Sequence, residues 1–214
     1  MMLPFKELVK KWDLKITGGI HIGANEGQEA ELYNELIDGT VLWVEAIPFI
    51  WEKLLSNIEK YTDQIAVCLC ASDVHQEEIE FNISNNGAQS SSMLEFGLHS
   101  QLHPTVNYID KIKLKTTRLD VFFDECIGGM PSGINFLNAD VQGAELKVLK
   151  GLGKYLNQID YLILEVNAKE TYIGCSLIGE LDDFLSDYKR VETGQLVGGC
   201  WSDALYIKKS LLND

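Results

Sequence analysis

Hydrophobic residues along the chain follow two different periods. Short apolar runs predict buried strands, and these lie at 16–22, 41–45, 65–69, 134–137 and 159–166. Between the runs, apolar residues recur every three or four positions, which predicts helices, at 28–37, 117–126, 145–151, 177–185 and from Pro48 onward. Alternating strands and helices are typical of an α/β fold that is doubly wound around a mostly parallel sheet.

The ends of the chain add two elements to this pattern. Segment 1–12 has apolar residues at helical intervals after Pro4, which predicts a short helix over a sheet edge. Segments 188–193 and 204–207 flank a Gly-Gly turn and predict an antiparallel hairpin that closes the sheet. The length of 214 residues fits one domain that spans 1–214.

Segment 74–116 differs from the rest because its apolar residues alternate with polar ones. The alternation at 78–83 and 109–116 predicts two half-exposed strands. Residues 85–92 between them are too polar to fill a core, and a long polar loop inside a compact domain tends to bind something. We therefore expect an inserted β-hairpin that carries a polar lid.

A glycine turn follows the first predicted strand. Gly23 and Gly27 allow a tight turn before a helix N-terminus, where free N–H groups favour an anionic group of a ligand. Glu45 ends the next strand about twenty residues later, the spacing at which nucleotide folds place the acid that binds ribose hydroxyls. The alternative interpretations are an ordinary tight turn for the two glycines and a solvated acid at the strand end for Glu45.

Polar residues recur where the predicted strands end. Asp73 follows the third strand and could accept a hydrogen bond from an adenine amino group, although Ser72-Asp73 is also an ordinary turn pair. Asp140 and Glu165 occupy similar positions later in the chain. Because ligands of open parallel sheets bind beyond the carboxyl ends of the strands, we expect these residues to face one cleft with Gly23 and Glu45.

Composition excludes several partners. The chain has 18 basic and 32 acidic residues and a formal charge of −14, which disfavours nucleic acid and anionic membranes as partners. No apolar run is long enough to span a membrane and the first twenty residues lack an apolar signal core, so we expect a cytoplasmic protein. Five cysteines without metal-binding spacing predict reduced thiols, with Cys68 and Cys70 on one face of a strand as small core residues.

The candidate metal ligands are weak. His99 and His103 stand four residues apart, but no acid or cysteine accompanies them, so a lid wall or a substrate hydrogen bond is the better interpretation. Asp140 with Glu145 could orient a diol through Mg²⁺, but no further ligand is evident. We predict no metal.

Several motifs together resemble the FkbM family of class I methyltransferases over nearly the whole chain. They are IHIGANEG at 20–27, WVEAIP at 43–48, SSSML at 90–94, TRLD at 117–120, DVQGAELKVLKG at 140–151, EVN at 165–167, Tyr172 and WSDALY at 201–206. The resemblance implies a Rossmann-like, seven-stranded sheet, the cofactor S-adenosylmethionine and methyl transfer to a hydroxyl oxygen of a sugar, glycan or related small metabolite. Most of the family has aspartate where this chain has His21, which we interpret as a variant of the cofactor cradle.

The strand-end pattern and the resemblance together assign roles. Asp140 is the first candidate for the general base, followed by Glu165 and His99; alternatively, Asp140 shapes the helix turn or contacts the methionine end of the cofactor. The expected cofactor-binding residues are His21, Gly23, Ala24, Asn25, Gly27, Glu45, Ala46, Ser72, Asp73 and Asp140. The expected acceptor-binding residues are Asn86, Ser91, His99, Asn167 and Tyr172.

Two other classes of function stay open. A nicotinamide-dependent oxidoreductase is disfavoured because the glycine motif lacks its third glycine and the chain lacks a second domain. A cofactor-binding protein of the same fold that has lost catalysis is the other alternative.

Overall fold

The computed structural model describes residues 3–212, which contain seven α-helices and ten β-strands. The strands are β1 Gly19–Ile22, β2 Val41–Glu45, β3 Gln64–Cys68, β4 Cys70–Ala71, β5 Glu78–Ser84, β6 Tyr108–Thr117, β7 Phe136–Ala139, β8 Tyr161–Asn167, β9 Tyr188–Thr193 and β10 Trp201–Lys208. The helices are α1 Phe5–Lys11, α2 Ala30–Leu36, α3 Pro48–Ile58, α4 His99–Leu102, α5 Leu119–Cys126, α6 Glu145–Leu152 and α7 Ile178–Phe184.

The main sheet has seven strands in the order β3-β2-β1-β7-β8-β10-β9. The strands from β3 to β8 pair in parallel, whereas β10 is antiparallel to both β8 and β9. This confirms the expected doubly wound sheet with an antiparallel C-terminal hairpin. The chain runs outward from β1 to β3 and then returns to β7 on the other side of β1, so the strand order reverses there and opens a crevice for ligands.

Both faces of the main sheet are buried, which explains the continuous apolar runs of its strands. Ile20 and Leu137 point to one face, where α5, α6 and α7 pack. Trp43 and Phe136 point to the other face, where Tyr33 of α2 joins the residues of α1 and α3. The core therefore fixes the strand register from two sides.

The predicted insertion forms a second sheet of three strands in the order β4-β6-β5. The long pair β5–β6 is antiparallel, and the half-exposed alternation expected for it is present. Residues 85–107 connect the two strands and lie against the main sheet: Asn25 Nδ2 donates to the carbonyl of Gly87 at 3.1 Å, and Ser92 Oγ donates to the carbonyl of Gln142 at 2.8 Å.

The polar stretch inside this connection is more buried than we expected from its composition. Ser90, Ser91 and Ser92 are all buried. Ser91 Oγ accepts from the Ser84 N–H at 3.0 Å, and Ser90 Oγ accepts from Asn86 Nδ2 at 3.0 Å. These residues can be buried because their hydroxyls and the neighbouring amides satisfy one another.

The prediction that Cys68 and Cys70 share one face was wrong. Cys68 ends β3 and is exposed, whereas Cys70 begins β4 of the second sheet and is buried. The chain leaves the main sheet at Leu69, so the alternation of a single strand does not apply. All five cysteines are free thiols, as expected.

Several helices and strands are shorter than the apolar patterns predicted. The first strand covers only Gly19–Ile22, and the helix after the glycine turn starts at Ala30. The entry helix covers Phe5–Lys11, and positions 1 and 2 of its predicted range lie outside the described residues. None of the helices within residues 3–212 is long and apolar enough to cross a membrane.

Glu145 opens α6 and fixes the loop that precedes it. Its side chain is fully buried, and Oε1 accepts from the N–H groups of Val141 and Gly143, both at 3.1 Å. Oε2 has no hydrogen-bond partner among the described residues. Burial is the main cause that raises the pKa of this carboxyl, and the nearby carboxyl of Asp140 adds to it.

Helix α6 lies very close to the second sheet at Gly151, which gives a first prediction. A Cβ at Gly151 would lie 2.1 Å from the carbonyl oxygen of Ser72. We expect Gly151→Ala to lower the free energy of unfolding by roughly 1–3 kcal/mol, because the helix must move away from the Ser72 backbone. Gly179→Ala in α7 is the control, since nothing lies within 4 Å of a Cβ there. Urea unfolding that gave equal stability for the two variants would contradict the close contact.

The raised pKa of Glu145 gives a second prediction. In the unfolded chain, Glu145 loses its proton as the pH rises above about 4.5, whereas in the folded chain it keeps the proton until the pH reaches its higher pKa. Between these two pKa values the folded state binds more protons, so the free energy of unfolding falls as the pH rises. Glu145→Gln should therefore gain stability relative to the unmodified chain between pH 5 and 8, by at most about 1.4 kcal/mol per pH unit.

Urea unfolding at several pH values measures this difference. The exposed substitution Glu52→Gln has the same change in net charge and serves as the control. A difference between Glu145→Gln and the unmodified chain that stayed constant with pH would show that Glu145 is ionised in the folded state.

Candidate active site

Two adjoining cavities lie at the carboxyl edge of the main sheet. The larger has a volume of about 410 Å³ and is lined mainly by carboxylates, amides and aromatic rings; we call it the polar cavity. The smaller is lined mainly by apolar residues such as Ile47, Ala71 and Phe81; we call it the apolar cavity. Both are lined by Gly23, Asn25, Gln89, Asp140 and Gln142, which form the junction between them.

The junction exists because two loops of the main sheet touch there. Gly23 has a φ of +80°, and a Cβ on it would lie 1.9 Å from the carbonyl oxygen of Asp140. Only glycine allows the loop after β1 to come this close to the loop after β7. Gly27 also has a positive φ, but a Cβ on it would meet Leu54 of α3 at 2.6 Å, so Gly27 serves helix packing and does not line either cavity.

Glu45 ends β2 and closes one side of the apolar cavity. Its Oε2 accepts from the N–H of Asn25 and its Oε1 from the N–H of Ile47, both at 2.8 Å. Burial raises the pKa of Glu45 to about 7, although the two N–H groups oppose this effect. Its carboxylate thus joins the glycine turn to the loop after β2, where Ala46 also lines the cavity.

Asp140 and Glu165 lie together at the floor of the polar cavity. Asp140 follows β7, and Glu165 is buried within β8. Gln142 Nε2 donates to Asp140 Oδ1 and to Glu165 Oε2, the latter at 3.0 Å. Burial raises the pKa of both carboxyls, and the charges of neighbouring acids add to it, with Asp203 the largest of these for Asp140.

Glu145 does not join these carboxyls as a metal ligand. It lines neither cavity, and its hydrogen bonds go to the loop backbone. Residues 3–212 contain no group of three or more His, Cys, Asp or Glu side chains that could hold a metal ion.

His21 borders the polar cavity but is held by an aromatic cluster beneath the sheet edge. Its ring stacks on Trp43 with centroids 5.1 Å apart, and Nδ1 lies 3.2 Å from the hydroxyl of Tyr33. Burial lowers the pKa of His21 to about 4, so the ring is neutral at physiological pH. His21 Nδ1 lies 4.0 Å from Glu29 Oε2, and both residues line the polar cavity.

The connection 85–107 between β5 and β6 contributes His99 to the lining of the polar cavity. The ring stacks on Phe96 with centroids 4.3 Å apart, and Nε2 lies 3.1 Å from Ser90 Oγ. Burial lowers the pKa of His99 to about 4, which makes its imidazole a weak base. His103 follows the end of α4, and the centroid of its ring lies 4.9 Å from that of His99.

Most of the predicted site residues meet at these cavities. The polar cavity is lined by His21, Gly23, Ala24, Asn25, Asn86, His99, Asp140, Glu165 and Tyr172, and the apolar cavity by Gly23, Asn25, Glu45, Ala46, Ser91 and Asp140. Sequence reasoning did not single out several lining residues, among them Gln28, Glu29, Gln142, Thr171, Trp201 and Asp203. Gln142, Trp201 and Asp203 did carry a signal, because they lie inside the motifs DVQGAELKVLKG and WSDALY.

Besides Gly27, three predicted site residues lie outside both cavities. Ser72 and Asp73 follow β4, which belongs to the second sheet, and not the end of β3. Asp73 Oδ1 lies 3.6 Å from Lys147 Nζ, and the Ser72 N–H donates to the carbonyl of Thr117. Asn167 is fully buried, and its Oδ1 accepts from Thr171 Oγ1. The observed contacts of these three residues are therefore to other parts of the protein and not to either cavity.

Comparison with solved structures gives the fold. The chain is similar to a ribosomal protein L11 methylase from Lactobacillus delbrueckii subsp. bulgaricus, with a TM-score of 0.54, 10% identity and coverage of 95% of this chain and 76% of that one. It is also similar to a protein of the NADB-Rossmann superfamily from Streptococcus agalactiae, with a TM-score of 0.52, 10% identity and coverage of 97% and 69%.

A third similar structure is the fibrillarin of Aeropyrum pernix in complex with natively bound S-adenosyl-L-methionine. Its TM-score is 0.50, with 12% identity and coverage of 91% of this chain and 69% of that one. The structural similarity supports a shared Rossmann-like fold of class I methyltransferases. The low sequence identities support no closer relationship. A search of curated proteins found no match.

The comparison with family models is more specific. The model of the methyltransferase FkbM domain matches residues 21–191, a span that includes the glycine turn, the Asp140–Glu145 loop and the lid. This match confirms the resemblance of the motifs, and the chain belongs to the FkbM methyltransferase family.

Proposed function

We propose that the protein transfers a methyl group from S-adenosylmethionine to a hydroxyl oxygen of an uncharged sugar, glycan or related small metabolite. The observation that carries the proposal is the position of Asp140, whose side chain lies at the junction of the two cavities. A carboxylate at this point reaches both the cavity that suits the cofactor and the cavity that suits the acceptor.

The residues around the junction fit the cofactor chemically. The apolar cavity offers Ile47, Ala71 and Phe81 to an adenine ring, and Glu45 offers its carboxylate to ribose hydroxyls. Carboxylates of the polar cavity, including Glu29 and Asp140, suit the positive charges of the sulfonium and ammonium groups. The bound cofactor supplies an electrophilic methyl group.

The polar cavity suits an acceptor without negative charge. Its lining contains no lysine or arginine among the described residues, and four of its members are the acids Glu29, Asp140, Glu165 and Asp203. The amides of Asn86 and Gln89 and the hydroxyl of Thr171 can hydrogen-bond acceptor hydroxyls, while Tyr172 and Trp201 offer aromatic surface. This combination favours a polyhydroxylated compound.

Asp140 is the best placed of the three candidate bases. The acceptor oxygen gains the methyl carbon as the carbon–sulfur bond breaks, and its proton passes to the Asp140 carboxylate, which leaves a methyl ether and S-adenosylhomocysteine. The raised pKa of Asp140 brings its basicity closer to neutral pH than that of an exposed aspartate. Glu165 is buried farther inside the strand, and His99 is bonded to Ser90 and has a lowered pKa.

A test of the cofactor comes first. Calorimetry should show saturable binding of S-adenosylhomocysteine, and Glu45→Gln should weaken it about tenfold to a hundredfold, because the amide replaces one acceptor oxygen by a donor. Glu52→Gln, an exposed substitution with the same change in charge, should leave the affinity unchanged. Binding of NADH without binding of S-adenosylmethionine or S-adenosylhomocysteine would instead identify an oxidoreductase.

The chemical step is tested with Asp140→Asn. Sugars and glycans are first screened with a radiolabelled methyl donor to find an acceptor. The variant should then turn over roughly 10²–10⁴ times more slowly, because the base is lost, while the affinity for S-adenosylhomocysteine largely survives. Asp63→Asn, which is exposed, is the control. Lost cofactor binding with unchanged turnover at saturation would make Asp140 a cofactor ligand and Glu165 the candidate base.

A further inference from the structure

Gln142 lies at the centre of a hydrogen-bond network that joins the candidate bases Asp140 and Glu165 to Tyr172. Its single Nε2 donates to Asp140 Oδ1 and to Glu165 Oε2, and its Oε1 accepts from the hydroxyl of Tyr172. One amide thus contacts two acids and one phenol, using donors and acceptor at once. Gln142 also lines both cavities.

The backbone holds Gln142 in a conformation that glutamine rarely adopts. Its φ is +55°, in the left-handed region, where a non-glycine residue is uncommon. The loop is fixed in this shape from behind by Glu145, which binds the N–H groups of Val141 and Gly143 on both sides of Gln142. Strained residues of this kind persist when surrounding contacts over-determine them, and they cluster at functional sites.

The network also bears on which acid carries a proton. Asp140 is faced by Asp203 of β10 and Glu29 before α2, whose charges disfavour its ionised form. It is also faced by Glu165 of β8 and Glu145 of α6, whose pKa values the charge of Asp140 raises. The N–H of Gln142 favours the ionised form of Asp140. Glu165 is the more deeply buried of the two acids, and Asp140 raises its pKa further.

We propose that Gln142 is a positioning residue that holds Asp140 as the ionised carboxylate at the junction, while the deeper burial of Glu165 keeps the proton on that acid. Its carbonyl ties the same amide to Tyr172, so the orientation of Asp140 is coupled to the wall that contacts the acceptor. This inference rests on the proposed function only for the identity of the reaction; the protonation of Asp140 is a property of the protein itself.

Titration of the Asp140 side chain tests the inference without any substrate. The carboxyl group is followed by ¹³C NMR in protein labelled at aspartate and glutamate, and Asp140→Asn assigns its signal. Gln142→Asn keeps the amide and suits a left-handed backbone, but it is one methylene shorter and loses the contact. We expect the pKa of Asp140 to rise by about 1–2 pH units in this variant, because a hydrogen bond to a charged group is lost.

Gln76→Asn is the matched control. Gln76 also has a left-handed backbone, with a φ of +60°, but it is exposed and lines neither cavity. The pKa of Asp140 should therefore be the same in this variant as in the unmodified protein. Gln142→Glu, which keeps the length of the side chain, is the second variant if Gln142→Asn fails to fold, and it should shift the pKa of Asp140 in the same direction.

Methyl transfer to an acceptor found in the screen provides the kinetic readout. In Gln142→Asn, the acid limb of the pH profile of kcat should move up with the pKa of Asp140, and turnover should recover at high pH. An unmoved titration of Asp140, or a loss of kcat that is equal at every pH, would overturn the inference. Failure of the unmodified protein to methylate any hydroxyl would overturn the proposed function instead, while the NMR titration still decides the role of Gln142.

Discussion

The close backbone contact between Gly23 and Asp140 is the constraint on which the site depends. The parallel pairing of β1 with β2 and β7 brings the ends of these strands to one edge, and the strand order reverses at β1. The absence of a Cβ at Gly23 then lets the two loops meet. Glu45 accepts from the N–H of Asn25, two residues after Gly23, so a third strand end is joined to the same turn. The site is therefore a consequence of sheet register and one glycine.

Burial sets the electrostatics of this point. His21 and His99, which line the polar cavity, have pKa values lowered to about 4, whereas the carboxyls of Glu45, Asp140 and Glu165 have raised pKa values. Desolvation disfavours charge in both classes of group, so it makes the imidazoles poorer bases and the carboxyls better ones. This opposite effect on the two classes favours a carboxylate over His99 as the group that accepts a proton.

The fold could be predicted from the sequence because the central parallel strands β1, β2, β7 and β8 are buried on both faces, so their sequences are mainly apolar. The positions of Glu45 and Asp140 at the carboxyl edge could be predicted for the same reason, since the end of such a run marks that edge of the sheet. Asp73 was not placed correctly, because the chain passes from β3 to another sheet within two residues, and no local pattern marks that change of partner. Gln142, Glu29 and Asp203 were missed because their proximity arises from loop geometry and from pairing between distant strands.

The loop from Asp140 to Glu145 shows how one short segment supports two acids with different roles. Glu145 accepts only backbone N–H groups and has no access to either cavity, so its carboxyl stabilises the loop shape. Asp140 lies five residues earlier, is partly accessible and receives its hydrogen bond from a side chain. Under the proposed function, a cationic ligand beside Asp140 would favour its ionised form further, because an opposite charge offsets the desolvation that raises its pKa. Binding of the methyl donor and preparation of the base would then be coupled through the same carboxylate.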